Sequence, residues 1–145
     1  MTLPVQVVRR DGWDVRLRDM IEAARTKPFE YGVHDCCTLA MLELPRALSG
    51  EDFHGRIGME WTNEAEAMAL LDDRGLEYLV TRAFGDPVDG WKNGRRGDIA
   101  MVMPSPATGN MPLLGVILGL MAAVPAPAGL AFIKADRLEK VWRLG

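Results

Sequence analysis

Apolar positions fall into two textures along the chain, at helical spacing before Gly97 and in short runs broken by Pro and Gly after it. Trp13, Leu17, Met20, Ile21 and Ala24 recur at i, i+4, i+7, i+8 and i+11, one face of an amphipathic helix that Lys27-Pro28 ends. A second helix is expected from Cys36 towards Leu48. It is apolar at Leu39, Ala40, Leu44, Ala47 and Leu48 and therefore central; Pro45 should bend it by removing a backbone donor, and Ser49-Gly50 should close it. Thr62-Asn63, with Glu66 three residues past Asn63, caps a third helix through Leu71 that Gly75 stops. Leu76 to Phe84 reads as a short helix or a strand, with helix favoured. Residues 1–10 look extended and loosely attached, Glu51 to Trp61 reads as an irregular connection, and Gly85 to Arg96 as a polar loop.

Beyond Gly97, strands are expected at Asp98–Met103, Leu113–Leu118, Met121–Val124, Leu130–Ile133 and Val141–Leu144. Pro104 to Asn110 forms a turn and Asp136 to Lys140 a short helical turn. Helices first and strands afterwards predict an α+β fold with an antiparallel sheet. The 145 residues suit one domain, 1–145, and no internal repeat interrupts it.

The balance of 17 Lys+Arg against 20 Asp+Glu leaves no basic stripe for phosphates and argues against a nucleic-acid partner. Arg9-Arg10 is followed by Asp11-Gly12 and not by an apolar run, so no signal peptide is expected. From Ile99 to Ile133 no residue is charged. Pro104, Pro106, Pro112, Pro125 and Pro127 cut that tract, and its longest apolar piece runs about twelve residues where a membrane span needs about twenty. It reads as buried strands. One small sheet does not need so much apolar surface on its inner face, so part of the tract, including some of Met101, Met103, Met111 and Met121, is expected outside the core as an interface.

The chemistry concentrates in Phe29 to Ala40. Pro28 and Gly32 punctuate a turn, Asp35 is a favoured N-cap residue, and Cys36 opens the second helix, where backbone N–H groups and the macrodipole favour an anion. A helix N-terminus lowers a thiol pKa, so Cys36 is a candidate nucleophile; equally, free cysteine is among the most buried residue types. Cys37 is expected to point into the core. His34, two residues from Cys36, is a candidate base, although its ring more naturally bonds a loop carbonyl beside the helix start. Cys36 and Cys37 are the only cysteines and make no disulfide framework. A zinc site from His34, Cys36, Cys37 and His54 has the wrong spacing, so neither metal nor other cofactor is expected.

Three of these segments carry a family resemblance. Tyr31-Gly32 followed by Asp35-Cys36-Cys37-Thr38-Leu39 resembles the nucleophile motif of NlpC/P60 cell-wall peptidases. Arg96-Gly97-Asp98-Ile99-Ala100-Met101-Val102 resembles their Gly-Asp strand, and Leu113-Leu114-Gly115-Val116-Ile117-Leu118-Gly119 the next strand, which usually begins with the catalytic His. Within that superfamily the chain is most similar to a small family from tail modules of phages and gene transfer agents, whose members share a Gly-x-His-Asp-Cys run and a Trp near the C-terminus, here Trp142. The resemblance implies a papain-like fold, with Cys36 at the start of a central helix packed on a C-terminal antiparallel sheet.

The departure from that pattern decides the expected function. Leu113 stands where the catalytic His belongs, and Leu113 to Ile133 holds no Asp, Glu, Asn, Gln or His to orient one. Cysteine peptidase chemistry needs a base to form the thiolate and an acid for the leaving amine. The resemblance therefore implies a degenerate domain with Cys36 as remnant nucleophile, kept as an assembly component of a tail tip. Its partners would be a tail hub or neighbouring tail proteins, with peptidoglycan a further candidate, and its place the virion, assembled in the bacterial cytoplasm. The alternatives are an active peptidoglycan peptidase or amidase with a non-standard base such as His34, and a thiol-dependent acyl transferase or binder of peptidoglycan stems.

Overall fold

A computed structural model describes residues 3–58, 61–71, 75–106 and 112–145, with Leu70 and Leu71 described in backbone only. Helix α1 (Trp13–Ala24) buries Leu17, Ile21 and Ala24, three positions of the expected face. The central helix begins at Cys36, widens into π-helical turns over Thr38–Glu43, and continues as α2 (Leu44–Ser49). Pro45 explains the widening. It has no N–H to donate, and its ring would strike the carbonyl four residues back, so Leu44 N–H reaches five residues back to Leu39 O instead. The π segment thus accommodates the proline inside a continuous helix. Gly50 N–H closes α2 on Arg46 O at 2.7 Å. Leu39, Met41, Leu44 and Leu48 are fully buried, each contributing roughly 1.5–3 kcal/mol.

Short α3 (His54–Ile57) lies within the segment read as irregular. Helix α4 (Glu64–Leu71) has its expected cap: Glu66 N–H donates to Asn63 Oδ1 at 2.9 Å, and Glu66 Oε1 accepts from Thr62 N–H and Oγ1. Residues 72–74, where the stop before Gly75 was expected, lie outside the described residues. Leu76 to Phe84 is helical, within α5 (Gly75–Phe84).

The strands are β1 (Val88–Asp89), β2 (Ile99–Val102), β3 (Leu113–Ile117), β4 (Met121–Ala126), β5 (Gly129–Lys134) and β6 (Leu138–Trp142). They form one antiparallel sheet in the order β1-β6-β2-β3-β4-β5. The fold is α+β, with helices packed against a six-stranded antiparallel sheet. Strand β1 falls within the segment read as loop; two residues carry too little pattern to be seen. The short helical turn sits at Ala135–Arg137, so β6 starts earlier than expected. The turn expected at Pro104–Asn110 is described only as far as Pro106.

Residues 5–10 are not loosely attached. Val5 N–H donates to Ala83 O, Arg10 N–H to Leu48 O, and Val7 is buried. Arg9 is the anchor. Its Nη2 pairs with Asp98 Oδ1 at 2.9 Å, Nε donates to Leu144 O and Nη1 to Arg96 O, both at 2.7 Å, and the guanidinium lies over the Trp13 ring. Asp98 is fully buried and also accepts from Leu144 N–H and Arg95 N–H. The Gly-Asp segment thus joins both ends of the described chain.

The uncharged tract is largely absorbed by burial on both faces of the sheet. Ile99, Met101, Leu114 and Val116 face the helices with Trp142. Ala100, Val102, Ile117, Ala122, Val124 and Val141 form a second cluster on the opposite face with Leu138 and Ala135. The Trp91–Gly94 segment comes close over that cluster, Gly94 sitting against Ile117 and Val141. Part of the tract does remain outside: Met103 and Met121 are exposed, as are Phe132 and Leu120, whereas Met101 is buried. Met111 lies outside the described residues. Among the described residues, no helix is long and apolar enough to cross a membrane.

Candidate thiol site

Asp35 organises the start of the central helix. Its Oδ1 accepts from Thr38 N–H at 2.7 Å and Thr38 Oγ1 at 2.8 Å; its Oδ2 accepts from Gly32 N–H at 2.8 Å and from Trp61 Nε1. The carboxylate therefore caps the helix, closes the Tyr31–Gly32 turn and fixes a buried Trp from a distant segment. Trp61 was visible in the sequence only as a Trp in a connection; nothing local pointed to its role. With its oxygens occupied in capping, Asp35 is a positioning group.

Cys36 is the first helical residue and is partly exposed. Its pKa lies below the usual thiol value, first because the Cys37 thiol donates to its sulfur. Burial pushes it up, the Leu114 backbone N–H pulls it down, and the Asp35 charge pushes it up. The Cys37 thiol is held well above its usual value, because its proton is committed to Cys36 and because burial disfavours its charge. Cys37 packs against the main core, as expected, while remaining partly exposed beside Cys36.

Why Leu114 N–H is free to face a sulfur follows from the sheet. Ile117 N–H bonds Asp98 O and Leu118 N–H bonds Met121 O, so alternation turns Leu114 N–H to the β4 side. The β3–β4 ladder pairs only Val116 with Ala123 and Ile117 with Ala122, and the same register would set Pro125 opposite Leu114. Of the β3 residues, Leu114 meets the sulfur, through its backbone N–H.

No imidazole acts on this sulfur. His34 is buried, its Nε2 3.0 Å from Gly129 O in β5. A carbonyl only accepts, so Nε2 carries the proton, and Nδ1 has no partner among the described residues. The expected acceptor was a loop carbonyl beside the helix start; the acceptor is instead a carbonyl at the start of β5. His54 is exposed at the start of α3, away from a shared ligand set, and no three His, Cys, Asp or Glu side chains among the described residues converge as metal ligands. Tyr31 stands beside the thiol pair; its pKa is raised by burial and by the charges of Glu64, Asp35 and Cys36.

Residues 8–144 match the family described as a domain of unknown function, DUF6950. The chain belongs to DUF6950. No curated protein matches it. The match covers every element of the site in this DUF6950 chain, from Tyr31 to Gly129.

The thiol pair can be tested directly. Iodoacetamide is expected to modify Cys36 before Cys37, with a rate that rises with pH through a value below that of an ordinary thiol. In Cys37→Ala the donor is gone, so the profile should move to higher pH and the rate at pH 7 should fall. Peptide mass mapping reads both, and preferential labelling of Cys37 would overturn the assignment.

Proposed function

We propose that this DUF6950 chain is an assembly component of a phage or gene transfer agent tail tip, built on a papain-like NlpC/P60 domain that has lost its hydrolytic chemistry. The observation that supports this most is the surroundings of Cys36. The groups that act on its sulfur are Cys37, the Leu114 N–H and the capping Asp35, and His34, whose Nε2 is held by Gly129 O, is not among them. A thiol donor and an amide stabilise a thiolate, but neither is suited to protonating a departing amine near pH 7. In triad hydrolases, loss of a catalytic member leaves roughly 10³–10⁴-fold catalysis over water. The partners in this reading are a tail hub or neighbouring tail proteins, and its place is the virion, assembled in the bacterial cytoplasm.

The lowered Cys36 thiol favours one second reading, an active peptidoglycan cysteine peptidase in which Cys36 attacks and a non-standard group serves as base. Incubation with peptidoglycan stem peptides decides between the two. The expected result is no cleavage above a Cys36→Ala control, together with co-migration of the chain with neighbouring tail proteins in analytical ultracentrifugation. Cleavage that Cys36→Ala abolishes establishes the second reading. A monodisperse chain that binds none of those proteins overturns the first.

A further inference from the structure

One corner of the contact between α1 and the sheet is left open by the side chains that meet there. Arg18, Glu22 and Arg25 recur at i, i+4 and i+7, so they form one polar stripe beside the buried Ile21. Leu118, just past β3, and Phe132, on β5, come from the sheet side. Both stand on its helix face: Leu118 packs against the main core, and Phe132 lies opposite Ala123, a core residue of that face. On the intervening strand β4, Ala123 carries only a methyl group, which leaves room between the two larger side chains. Phe132 is 42% exposed although it faces the helix layer.

These residues line a cavity of about 250 Å³, completed by Arg96 from the segment before β2. Its lining divides by chemistry. Ile21, Leu118 and Phe132 are apolar, whereas Arg18, Arg25 and Arg96 set three guanidiniums against the single carboxylate of Glu22. That positive excess is local, in a chain of net charge −3. Glu22 is already held by Arg25 at 3.3 Å, and Arg18 meets the exposed Asp19 at 3.6 Å. Among the described residues Arg96 pairs with no carboxylate; its Nη1 reaches Leu118 O at 3.5 Å, which keeps the guanidinium beside the apolar wall. A planar guanidinium takes a carboxylate through two parallel N–H groups. An anion with an apolar body therefore meets complementary groups at both ends, which a cation or a fully polar ion does not. The volume has room for roughly eight to ten non-hydrogen atoms, below the about 300 Å³ at which drug-sized sites begin.

We propose that this cavity binds a small carboxylate carrying one apolar group, the size of a phenyl ring or a branched alkyl chain. The apolar group lies against Ile21, Leu118 and Phe132, and the carboxylate sits on Arg96 and Arg18. The size favours a free small molecule over the end of a partner chain, whose preceding residue would need room that one such group already takes. The proposal goes beyond the assembly reading and does not rest on it, since the cavity shares no residue with the Cys36 site.

The probe is phenylacetate, titrated into ¹⁵N-labelled chain at low ionic strength, with phenylacetamide, phenethylammonium and acetate as controls. Saturable amide shifts at Arg18–Arg25, Arg96, Leu118 and Phe132 are expected for phenylacetate, half-complete at about 1 mM, with each control at least about tenfold weaker. Arg18→Gln/Arg96→Gln removes two exposed charge contacts and should weaken binding about tenfold, and added salt should act in the same direction. Phe132→Ser, made separately, should also cost about tenfold, the size of one good apolar contact. The paired arginine variant alters only surface side chains and keeps the test independent of folding losses at Phe132. Equal binding of phenylacetamide or phenethylammonium, shifts confined to other elements, or unchanged affinity in the arginine variant would overturn the proposal. Acetate moving the same amides equally would reduce the cavity to an adventitious-ion site. Tighter binding of an acetylated dipeptide ending in Phe would make a partner's C-terminus the occupant, and so overturn it too. Absence of phenylacetate binding sinks this cavity alone; stem-peptide cleavage sinks the assembly reading alone.

Discussion

Replacing Asp98 by Ala is expected to destabilise the fold by about 3–5 kcal/mol, a large share of the roughly 5–15 kcal/mol that a domain possesses. The carboxylate is fully buried and accepts from the Arg9 guanidinium and from the N–H groups of Leu144 and Arg95. Removing it leaves a cation whose side chain is only 12% exposed without its counter-charge, and strands two amide donors. Burial already pulls the Arg9 pKa below its usual value, with Asp98 the main opposing influence. Urea unfolding followed by circular dichroism measures the loss. Arg9→Met/Asp98→Leu, which removes both charges, should cost less than the sum of the single changes. A loss under about 1 kcal/mol in Asp98→Ala would show that the cluster is not the anchor described.

Gly129→Ala is the second large effect, at about 3 kcal/mol or more. Its φ of 137° is one that side-chain-bearing residues rarely adopt, and an added Cβ would overlap the carbonyl of Arg25 at the end of α1. The overlap is with backbone, so relief requires α1 or β5 to shift, and either movement withdraws Gly129 O from His34. Gly119→Ala separates the two causes. Its φ of 125° is similarly unfavourable, but nothing lies within 4 Å of the added atom, so it should show only the strain, about 1–3 kcal/mol. Thermal unfolding of the pair gives the comparison. Equal losses would mean that the approach of Arg25 carries no weight.

Both residues mark where local pattern stops being informative. Helix α1, the Cys36 start and the Asn63 cap were legible because each rests on residues a few positions apart. Asp35 was readable as a cap for the same reason. The attachment of residues 5–10 was not legible, since Arg9 meets Asp98 and Leu144, 89 and 135 positions away. Nor was the pairing of Trp61 with Asp35, or the exposure of Leu114 N–H, which depends on where the β3–β4 ladder ends. Pro45 announced a bend and gave a π-helical segment; the sequence carries the cause, while the surrounding core keeps the helix continuous. Cys37 looked apolar by type, and only its placement beside Cys36 gives its proton a use.

The Arg9 contacts also set a timetable for synthesis. Arg9 leaves the ribosome 135 residues ahead of Leu144, whose carbonyl and amide complete the cluster around Arg9 and Asp98. At translation rates of about 5–20 residues per second, that interval lasts roughly 7–27 s. Throughout it, α1 and the central helix can form from local contacts, while Val7 and the guanidinium wait for strands not yet made. The nascent chain therefore cannot lock the segment around Arg9 until Leu144 has emerged.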